Sequence, residues 1–574
     1  MSSDFQVTGE NQNAPFTLKI HRGEGMCLLA MNWKDGQPPD DLVGFAIEYM
    51  DPEGNGPFKL KNRLAFLRED GSVEPESQDS DVAPIQMFRW VHFPFHAERK
   101  GDFSYKVSPV FMDERNELSL GEPQEAKLEL RSETYPGQLN VAFTRGFVSS
   151  QAFVDHFGGT SRDVSTLLPS DADEGLEFKA THPKAEEAHE WMGFEAREAL
   201  LALLEEANDD EEAQVRVVAY DLNEPEIVDP LKALGKRLKA IVDDSGSHGK
   251  EGSAENKAAE ELAATAEEVK RQHMGGLQHN KMLVVDGPKV QAAVFGSTNF
   301  SWRGFYVQAN NAIVARGEEV VRLANEAFDA YWDHDDVSGF GHESAATMQP
   351  LGLDRIDAQV AFSPHVKANA LLKTIADDIE TGTTSSLFYS LAFLHQTGIG
   401  EGSVRSALTT VTEKEGIFVY GMAYQEVGGF ELVPPDGNPR PVHPDALTKD
   451  VPEPFKSEPT GGSGIRMHHK FVVIDFDKPT ARVWMGSYNF SNPADTKNGE
   501  NLLLIKDRRI ATAYMVEALR LFDHYRFRVL EDEAGKKDDD RLFLVRPPRE
   551  PGEVPWWDKF YSDPQKARDR EMFA

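Results

Sequence analysis

The sequence predicts an α/β protein built from two homologous halves and preceded by an all-β domain. Three observations lead to this fold class. A short polar string occurs twice in the 574 residues, the chain around each copy alternates apolar strands with helices, and the N-terminal part alternates apolar with polar side chains. The predicted domains are residues 1–134, 135–345 and 346–574. Three domains suit this length, since one core serves roughly 150 residues.

The repeated string spaces the same residue types almost identically in its two copies. The first copy contains His279, Lys281, Asp286, Gly296, Ser297 and Asn299, and the second contains His468, Lys470, Asp475, Gly486, Ser487 and Asn489. In both, His precedes Lys by two positions and Asp by seven (286−279 and 475−468). The Gly-Ser pair follows His by 17 positions in one copy (296−279) and by 18 in the other (486−468). Such agreement indicates an internal duplication.

The N-terminal domain shows the period of two that half-buried strands require. Runs at 45–49, 103–107 and 126–130 alternate in this way, and clusters of Gly, Pro, Asp and Asn separate the runs. A β-sandwich of the immunoglobulin or fibronectin-III type is the most economical prediction.

Each half is predicted to hold a mixed sheet covered on both faces by helices. The similar strands 139–145 and 359–365 begin the two halves, and continuous apolar strands then alternate with helices such as 186–206. The Ala- and Glu-rich segment 254–270 is predicted to be helical. The Pro- and Gly-rich stretch 430–464 is predicted to be a long loop that forms a rim or a lid.

Composition places the protein among soluble globular proteins. The chain is 40% hydrophobic and 27% charged, and its net charge of −35 argues against a surface that attracts nucleic acid or anionic lipid broadly. The single cysteine, Cys27, permits no internal disulfide and is expected to be a buried apolar residue. Neither a signal peptide nor an apolar stretch of roughly 18 to 20 residues is evident. We expect a cytoplasmic location, with export by a route without a cleavable signal left open. The aromatic tail at 556–561 is expected to pack onto the body of the protein.

The chemistry of the repeated string suits a phosphodiester. Residues two apart on an extended segment project from the same face, so each half presents an imidazole beside an ammonium group. Two lysines and two asparagines would stabilise charge on the non-bridging oxygens, while two imidazoles share nucleophilic and acid–base work.

Two other readings of the string are less favoured. Lysine beside each histidine would repel a cation, and no further Cys or Glu ligand set is evident, so neither a metal nor another cofactor is expected. A non-catalytic binding protein is disfavoured because His, Lys and Asn are intact in both halves.

The two strings resemble the duplicated HxKxxxxD…GSxN signature of the phospholipase D superfamily, over roughly residues 137–574. The resemblance implies two α/β halves related by a pseudo-twofold axis, one active site at their interface and no metal requirement. It also implies a covalent phosphohistidine intermediate. One histidine attacks phosphorus, the other protonates the leaving oxygen, and water then resolves the intermediate. Asp286, Ser297, Asp475 and Ser487 are expected to support the site.

The two copies differ thirteen positions past the serine, where the first has Asn310 and the second Glu500 (310−297 and 500−487). The family commonly places an acid or an amide here to orient the histidine. A carboxylate partner favours imidazolium, whereas an amide does not. We take Asn310 as the partner of His279 and Glu500 as the partner of His468, each within its own copy. His279 is then expected to be the neutral nucleophile and His468 the charged general acid.

The substrate is less sharply defined than the reaction. The segment 498–501 resembles the small bacterial nucleases of the superfamily, which favours a nucleic-acid phosphodiester slightly. A phospholipid headgroup is the alternative, with the 430–464 loop as a rim that contacts the membrane, although no amphipathic basic helix is evident. The β-sandwich is expected to be an accessory domain that docks a protein partner or the substrate.

Overall fold

The computed structural model describes residues 4–130 (except 69, 73 and 75), 133–146, 153, 156–158, 161–423 (except 399), 467–535 and 543–574. These residues form two compact units. The first comprises the described residues of 1–132 and 512–574, and the second comprises those of 133–432 and 441–511. The three domain ranges drawn from the sequence stay a prediction.

The strands of the first unit lie N-terminal to all others. They are β1 Gln6–Thr8, β2 Phe16–Arg22, β3 Cys27–Trp33, β4 Leu42–Met50, β5 Phe58–Lys59, β6 Lys61–Asn62, β7 Gln78–Asp79, β8 Arg89–His92, β9 Asp102–Met112, β10 Leu118–Leu120 and β11 Gln124–Glu129. The strands of the second unit are β12 Leu139–Phe143, β13 Gln214–Ala219, β14 Leu238–Val242, β15 Glu268–Arg271, β16 Lys281–Asp286, β17 Gln291–Gly296, β18 Asn311–Arg316, β19 Gln349–Pro350, β20 Asp357–Ser363, β21 Ser386–Leu391, β22 Phe418–Ala423, β23 Lys470–Ile474, β24 Arg482–Gly486 and β25 Glu500–Lys506.

The helices follow the first sheets in chain order. They are α1 Ser161–Ser165, α2 Ala185–Asp209, α3 Pro225–Ala233, α4 Ala254–Ala263, α5 Trp302–Tyr306, α6 Glu318–Asp333, α7 Val337–Phe340, α8 Leu372–Gly382, α9 Val404–Thr412, α10 Asn492–Thr496, α11 Arg508–Gly535, α12 Lys559–Ser562 and α13 Pro564–Phe573. Among the described residues, no helix combines the length and the apolar character that crossing a bilayer requires.

The first unit holds two antiparallel sheets that share one core. One sheet has the order β1-β2-β3-β8, and the other has the order β10-β9-β4-β5 with β11 also paired to β9. Alternate side chains of the strands, such as Phe103 and Tyr105 in β9, enter a core that also contains Phe16 and Leu29 from the other sheet. The β-rich character predicted for this region is confirmed. Its assignment to the immunoglobulin or fibronectin-III class stays a prediction.

The aromatic tail packs into this same core, as the sequence predicted. Trp556 and Phe560 are buried there beside Phe88, and the Phe88 and Trp556 rings stack with centroids 5.2 Å apart. The indole nitrogen of Trp556 donates to the backbone oxygen of Leu42 at 2.9 Å.

The second unit contains two seven-stranded mixed sheets with matching connections. Their orders are β12-β18-β17-β16-β13-β14-β15 and β19-β20-β25-β24-β23-β21-β22. In the first sheet β13 runs parallel to β14 and antiparallel to β16, and in the second β21 runs parallel to β22 and antiparallel to β23. Nearly continuous burial of these strands, with helices packed against them, confirms the predicted α/β character.

One predicted helix is wrong over its last part. The segment predicted to be helical to residue 270 forms α4 only as far as Ala263, and β15 then pairs in parallel with β14. Four residues suffice for this edge strand because β14 offers it a ready-made partner, which overrides the local helical composition. The long loop predicted at 430–464 lies outside the described residues.

Candidate functional site

The two copies of the motif meet inside the second unit because the halves interlock. The residue before His279, Gln278, forms a parallel bridge with Gly499, and Met467, before His468, forms one with Ala309. The backbone nitrogen of His468 donates to the Ala309 oxygen at 3.0 Å. Each histidine segment is therefore held by the segment that leads into the last long strand of the other half.

The histidines face each other across the junction. The ring centroids of His279 and His468 lie 6.3 Å apart, with 67° between the ring planes. Both are 4% exposed, and the lysines two positions on, Lys281 and Lys470, are 1% exposed. The structure thus brings four of the predicted catalytic residues into one buried group.

The partners of the histidines are exchanged between the copies. His279 Nδ1 lies 2.7 Å from Glu500 Oε2, and His468 Nδ1 lies 2.8 Å from Asn310 Oδ1. The sequence-based assumption that Glu500 serves His468 and Asn310 serves His279 is wrong. Its physical cause is the interlock, which carries the start of β25 to the first histidine and the start of β18 to the second.

The surrounding hydrogen bonds fix the Asn310 carboxamide. Ser297 Oγ donates to Asn310 Oδ1 at 2.9 Å, and Asn310 Nδ2 donates to the Gly304 oxygen at 2.9 Å. Asn310 Oδ1 therefore accepts from His468 Nδ1, which leaves Nε2 of that ring for chemistry. Ser487 takes the matching place beside Glu500, where its hydrogen bond stabilises the carboxylate form.

Each lysine packs on an aromatic ring that the sequence analysis missed. Lys281 Nζ lies 4.7 Å from the ring centroid of Tyr220, and Lys470 Nζ lies 5.5 Å from that of Phe393. Lys470 Nζ also donates to the oxygen of His468 at 2.7 Å, and Lys281 makes the same bond to His279. Each aromatic residue follows an alanine, which is the last residue of β13 in one half and the first residue after β21 in the other. This shared Ala-aromatic pair was a signal available in the sequence.

Asn299 and Asn489 carry unused hydrogen-bonding capacity. The Oδ1 atom of each is buried without a hydrogen-bond partner in the described part of the chain. A buried acceptor left unpaired costs free energy, so each of these oxygens points to a hydrogen-bond donor, from water or from a ligand. Both residues follow the Gly-Ser pair at the end of a central strand, the end at which the histidines lie.

The structure does not bring the two aspartates of the motif to the histidines. Asp286 ends β16, where it accepts from Asn325 Nδ2 at 3.1 Å. Asp475 follows β23 and accepts from the backbone nitrogens of Thr384 and Ser385 at 3.0 and 2.8 Å. Seven residues of extended chain place each carboxylate roughly 20 Å from its histidine. The aspartates therefore stabilise strand ends and do not act on the reacting groups.

Burial dominates the electrostatics of the site. It lowers the pKa of His279 and His468 well below the usual value, and the neighbouring lysine charges lower both further. Burial also lowers the pKa of Lys281 to about 8 and raises that of Glu500 to about 8. Positive charge is thus disfavoured in the free site, and an anionic ligand would offset this cost.

A family model described as "Cardiolipin synthase, PLD-like domain" matches residues 200–332 and 451–522. The curated phospholipase D of Rickettsia prowazekii (strain Madrid E) is 44% identical over 48 residues, which are 8% of this chain and 22% of that protein. That of Rickettsia felis (strain ATCC VR-1525 / URRWXCal2) is 42% identical over 48 residues, with the same coverage of 8% and 22%. The chain thus spans about a fifth of the length of these curated relatives.

Two solved structures are also similar in part. Nuc from Salmonella typhimurium, described as a phospholipase D family member, is 26% identical over 23% of this chain and 84% of its own, with a TM-score of 0.20. Phosphatidylserine synthase of Haemophilus influenzae Rd KW20 is 12% identical over 67% of this chain and 94% of its own, with a TM-score of 0.36. These TM-scores are too low for either structure to bear on the fold or the activity. The residues that the family model matches contain both copies of the motif, which supports the resemblance of this chain to the phospholipase D superfamily.

Proposed function

We propose that the protein is a phosphodiesterase that forms a covalent phosphohistidine on His279 and uses His468 as the general acid. The observation that carries this proposal is the buried pair itself. Two imidazoles lie with centroids 6.3 Å apart, and each has Nδ1 committed to a partner from the other half, so that Nε2 of each is left for the reaction. Such a pair can hold one phosphorus atom between two nitrogens.

The different partners support the division of roles. One proton lies between His279 Nδ1 and Glu500, and when it is on the ring, Nε2 carries the lone pair that attacks phosphorus. Bonding to phosphorus makes the ring cationic, and the carboxylate stabilises that charge. The neutral Asn310 stabilises a charged His468 less, so this ring gives up its proton more readily. His279 therefore keeps the proposed role of nucleophile and His468 that of general acid, although each has the partner that the sequence had given to the other.

The reaction proceeds in two displacements at phosphorus. His279 Nε2 forms a bond to phosphorus while the bond to the leaving oxygen breaks, and His468 Nε2–H gives its proton to that oxygen. Water then attacks phosphorus and gives a proton to His468 Nε2 as the bond to His279 breaks. Lys281 and Lys470, with Asn299 and Asn489, stabilise charge on the non-bridging oxygens. No metal and no other cofactor takes part in this scheme.

A nucleic-acid phosphodiester is the first candidate substrate, on the resemblance of segment 498–501 to the small bacterial nucleases. Phospholipid headgroups are the second candidate, and one observation favours them. Asp221 and Glu255 form an acidic cluster with His248, and His248 packs on Tyr220 at the site with centroids 4.6 Å apart. These carboxylates repel the further phosphates of a polymer and suit a cationic alcohol.

The finer features of the architecture are proposed with the function. The matching strand orders and exchanged histidine partners support a pseudo-twofold relation between the halves. The N-terminal domain is proposed to be an immunoglobulin- or fibronectin-III-like accessory domain that docks a partner or the substrate. A cytoplasmic location is part of the same proposal.

Trapping the intermediate tests the mechanism. Bis-p-nitrophenyl phosphate has a leaving group that departs without an acid, so His468→Ala should still form the phosphoenzyme but should hydrolyse it slowly. We expect a burst of one p-nitrophenolate per chain and mass added to the peptide containing His279. His279→Ala should show neither. Mass added to the His468 peptide of the wild type, no burst in His468→Ala, or full activity in His279→Ala would overturn the assignment.

Matched substrates decide the class. The wild type and His279→Ala are compared on single-stranded DNA, double-stranded DNA, RNA and phosphatidylcholine vesicles, each with and without chelator. Cleavage of nucleic acid alone supports the first candidate, and release of choline alone supports the second.

A further inference from the structure

A cluster of one imidazole and three carboxylates lies beside the site, in the first half. Asp221 follows β13, Asp243 and His248 follow β14, and Glu255 lies in the first turn of α4. Ligand atoms of Asp221, His248 and Glu255 all lie within 4.8 Å of one another. The Tyr220 ring separates the cluster from the catalytic pair, with centroids 4.6 Å from His248 and 4.7 Å from His279.

The imidazole of His248 is oriented by a carboxylate behind it. His248 Nδ1 lies 2.8 Å from Asp243 Oδ2, and Asp243 is itself fixed by the backbone nitrogens of Ser245 at 2.9 Å and Gln278 at 2.7 Å. His248 Nε2 consequently faces the other two carboxylates. A histidine that binds a metal ion through one ring nitrogen usually donates the N–H of its other ring nitrogen to a carboxylate.

The spacing of the three ligand atoms suits a metal ion better than it suits a proton. His248 Nε2 lies 3.3 Å from Asp221 Oδ1 and 3.9 Å from Glu255 Oε2. Two ligands about 2.1 Å from a zinc ion at a tetrahedral angle are about 3.4 Å apart. A proton on Nε2 can reach Asp221 but not Glu255, whose carboxylate accepts a long bond of 3.4 Å from the Leu222 nitrogen and a further bond from its own backbone nitrogen. A cation between the three atoms would serve both carboxylates.

The duplicated fold does not itself require a carboxylate at the position of Asp221. The second half has Leu394 at the position of Asp221, directly after Phe393, the aromatic residue that corresponds to Tyr220. Among the residues that the structure describes, Asp221 therefore has no carboxylate counterpart in the second half, and a carboxylate at this position is not needed to close a sheet of this type.

We propose that Asp221, His248 and Glu255 bind one divalent transition-metal ion, with zinc as the first candidate. Imidazole with two carboxylates favours zinc or manganese over calcium or magnesium, which prefer all-oxygen sites. The ion joins the chain after β13, the chain after β14 and α4, and it takes no part in the phosphodiesterase reaction. The site is independent of the phosphohistidine mechanism proposed above. A bound ion would offset the repulsion between these carboxylates and the further phosphates of a polymer, so the preference for a cationic alcohol applies to the metal-free protein.

The test measures metal binding and thermal unfolding of the full chain, not activity. Chelator-treated protein is titrated with Zn²⁺, Mn²⁺ and Ca²⁺ in parallel by calorimetry, and its unfolding midpoint is recorded with and without each ion. We expect one Zn²⁺ per chain, a higher midpoint with Zn²⁺ and little response to Ca²⁺. Asp221→Asn and Glu255→Gln should each weaken Zn²⁺ binding at least tenfold.

Two controls locate the ion. Glu260→Gln, an exposed carboxylate on the same helix α4, should bind Zn²⁺ as the wild type does. His279→Ala with His468→Ala should also retain binding, which separates the cluster from the catalytic imidazoles. Absence of Zn²⁺ binding in the wild type, or equal binding in Asp221→Asn and Glu255→Gln, would overturn the proposal and leave an ion-pair network around a protonated His248. If one variant fails to fold, the wild-type titration and the other variant still decide.

Discussion

At the scale of single residues, the partner of each histidine decides what that histidine can do. Glu500 stabilises the cation that forms on His279, so Glu500→Gln should slow formation of the phosphoenzyme. We expect a loss of about 10²-fold or more in kcat/KM with either an aryl or an alkyl leaving group. Asn310→Asp is the matched change at the other histidine. It should hold the proton on His468 and slow the alkyl substrate more than the aryl one. Equal effects of leaving group in the two variants would contradict the division of roles.

The same substitution predicts a change in how stability depends on pH. Burial raises the pKa of Glu500 to about 8, against about 4.5 in the unfolded chain. Between these values the folded state binds the extra proton, so this group lowers stability as pH rises through the window. Gln does not titrate, so the loss of stability that accompanies ionisation of Glu500 is absent from the variant. The unfolding midpoint of Glu500→Gln minus that of the wild type should therefore increase from about pH 5 to about pH 8. A constant difference would mean that Glu500 is ionised beside an imidazolium.

Residue identities were predictable from the sequence, but their pairing was not. The duplicated spacing located His279, His468 and both lysines, because spacing along an extended segment fixes which side chains share a face. The spacing between Ser487 and Glu500 is a distance along the chain within one copy of the motif. It carries no information on the exchange of segments between halves, which arises from tertiary packing.

At the scale of elements, the turn after β17 depends on a glycine for two separate reasons. Gly296 has a φ of +126°, and a Cβ placed there would lie 2.5 Å from the Asn311 oxygen. Gly317 has a nearly equal φ of +130°, with nothing within 4 Å of its Cβ position. Gly317→Ala should cost about 1 to 3 kcal/mol from backbone strain alone, and Gly296→Ala should cost distinctly more. Urea unfolding of both variants measures the difference. Equal losses would show that the close approach to β18 is not a constraint.

Elements with a strong internal pattern were predicted well, and an element defined by its neighbour was not. The predicted strand 238–242 coincides with β14, and the predicted helix 186–206 lies within α2. These segments bury an apolar face that the sequence displays. Residues 268–271 have no comparable apolar pattern. They form β15, an edge strand of four residues, because β14 is available to pair with them.

At the scale of the whole molecule, the net charge of −35 predicts an inverted response to salt. Proteins that bind nucleic acid through a basic surface lose affinity as salt rises, because binding releases counterions. Here the buried lysines of the site attract the substrate, while the net negative charge of the chain repels a polyanion over a screening length of about 30 Å at 10 mM salt and about 10 Å at 100 mM. For a single-stranded oligonucleotide, kcat/KM should therefore rise several-fold over this range. For bis-p-nitrophenyl phosphate, with its single charge, it should rise much less. A fall in oligonucleotide cleavage with salt would instead reveal a basic path across the surface, and it would strengthen nucleic acid as the substrate over a phospholipid headgroup.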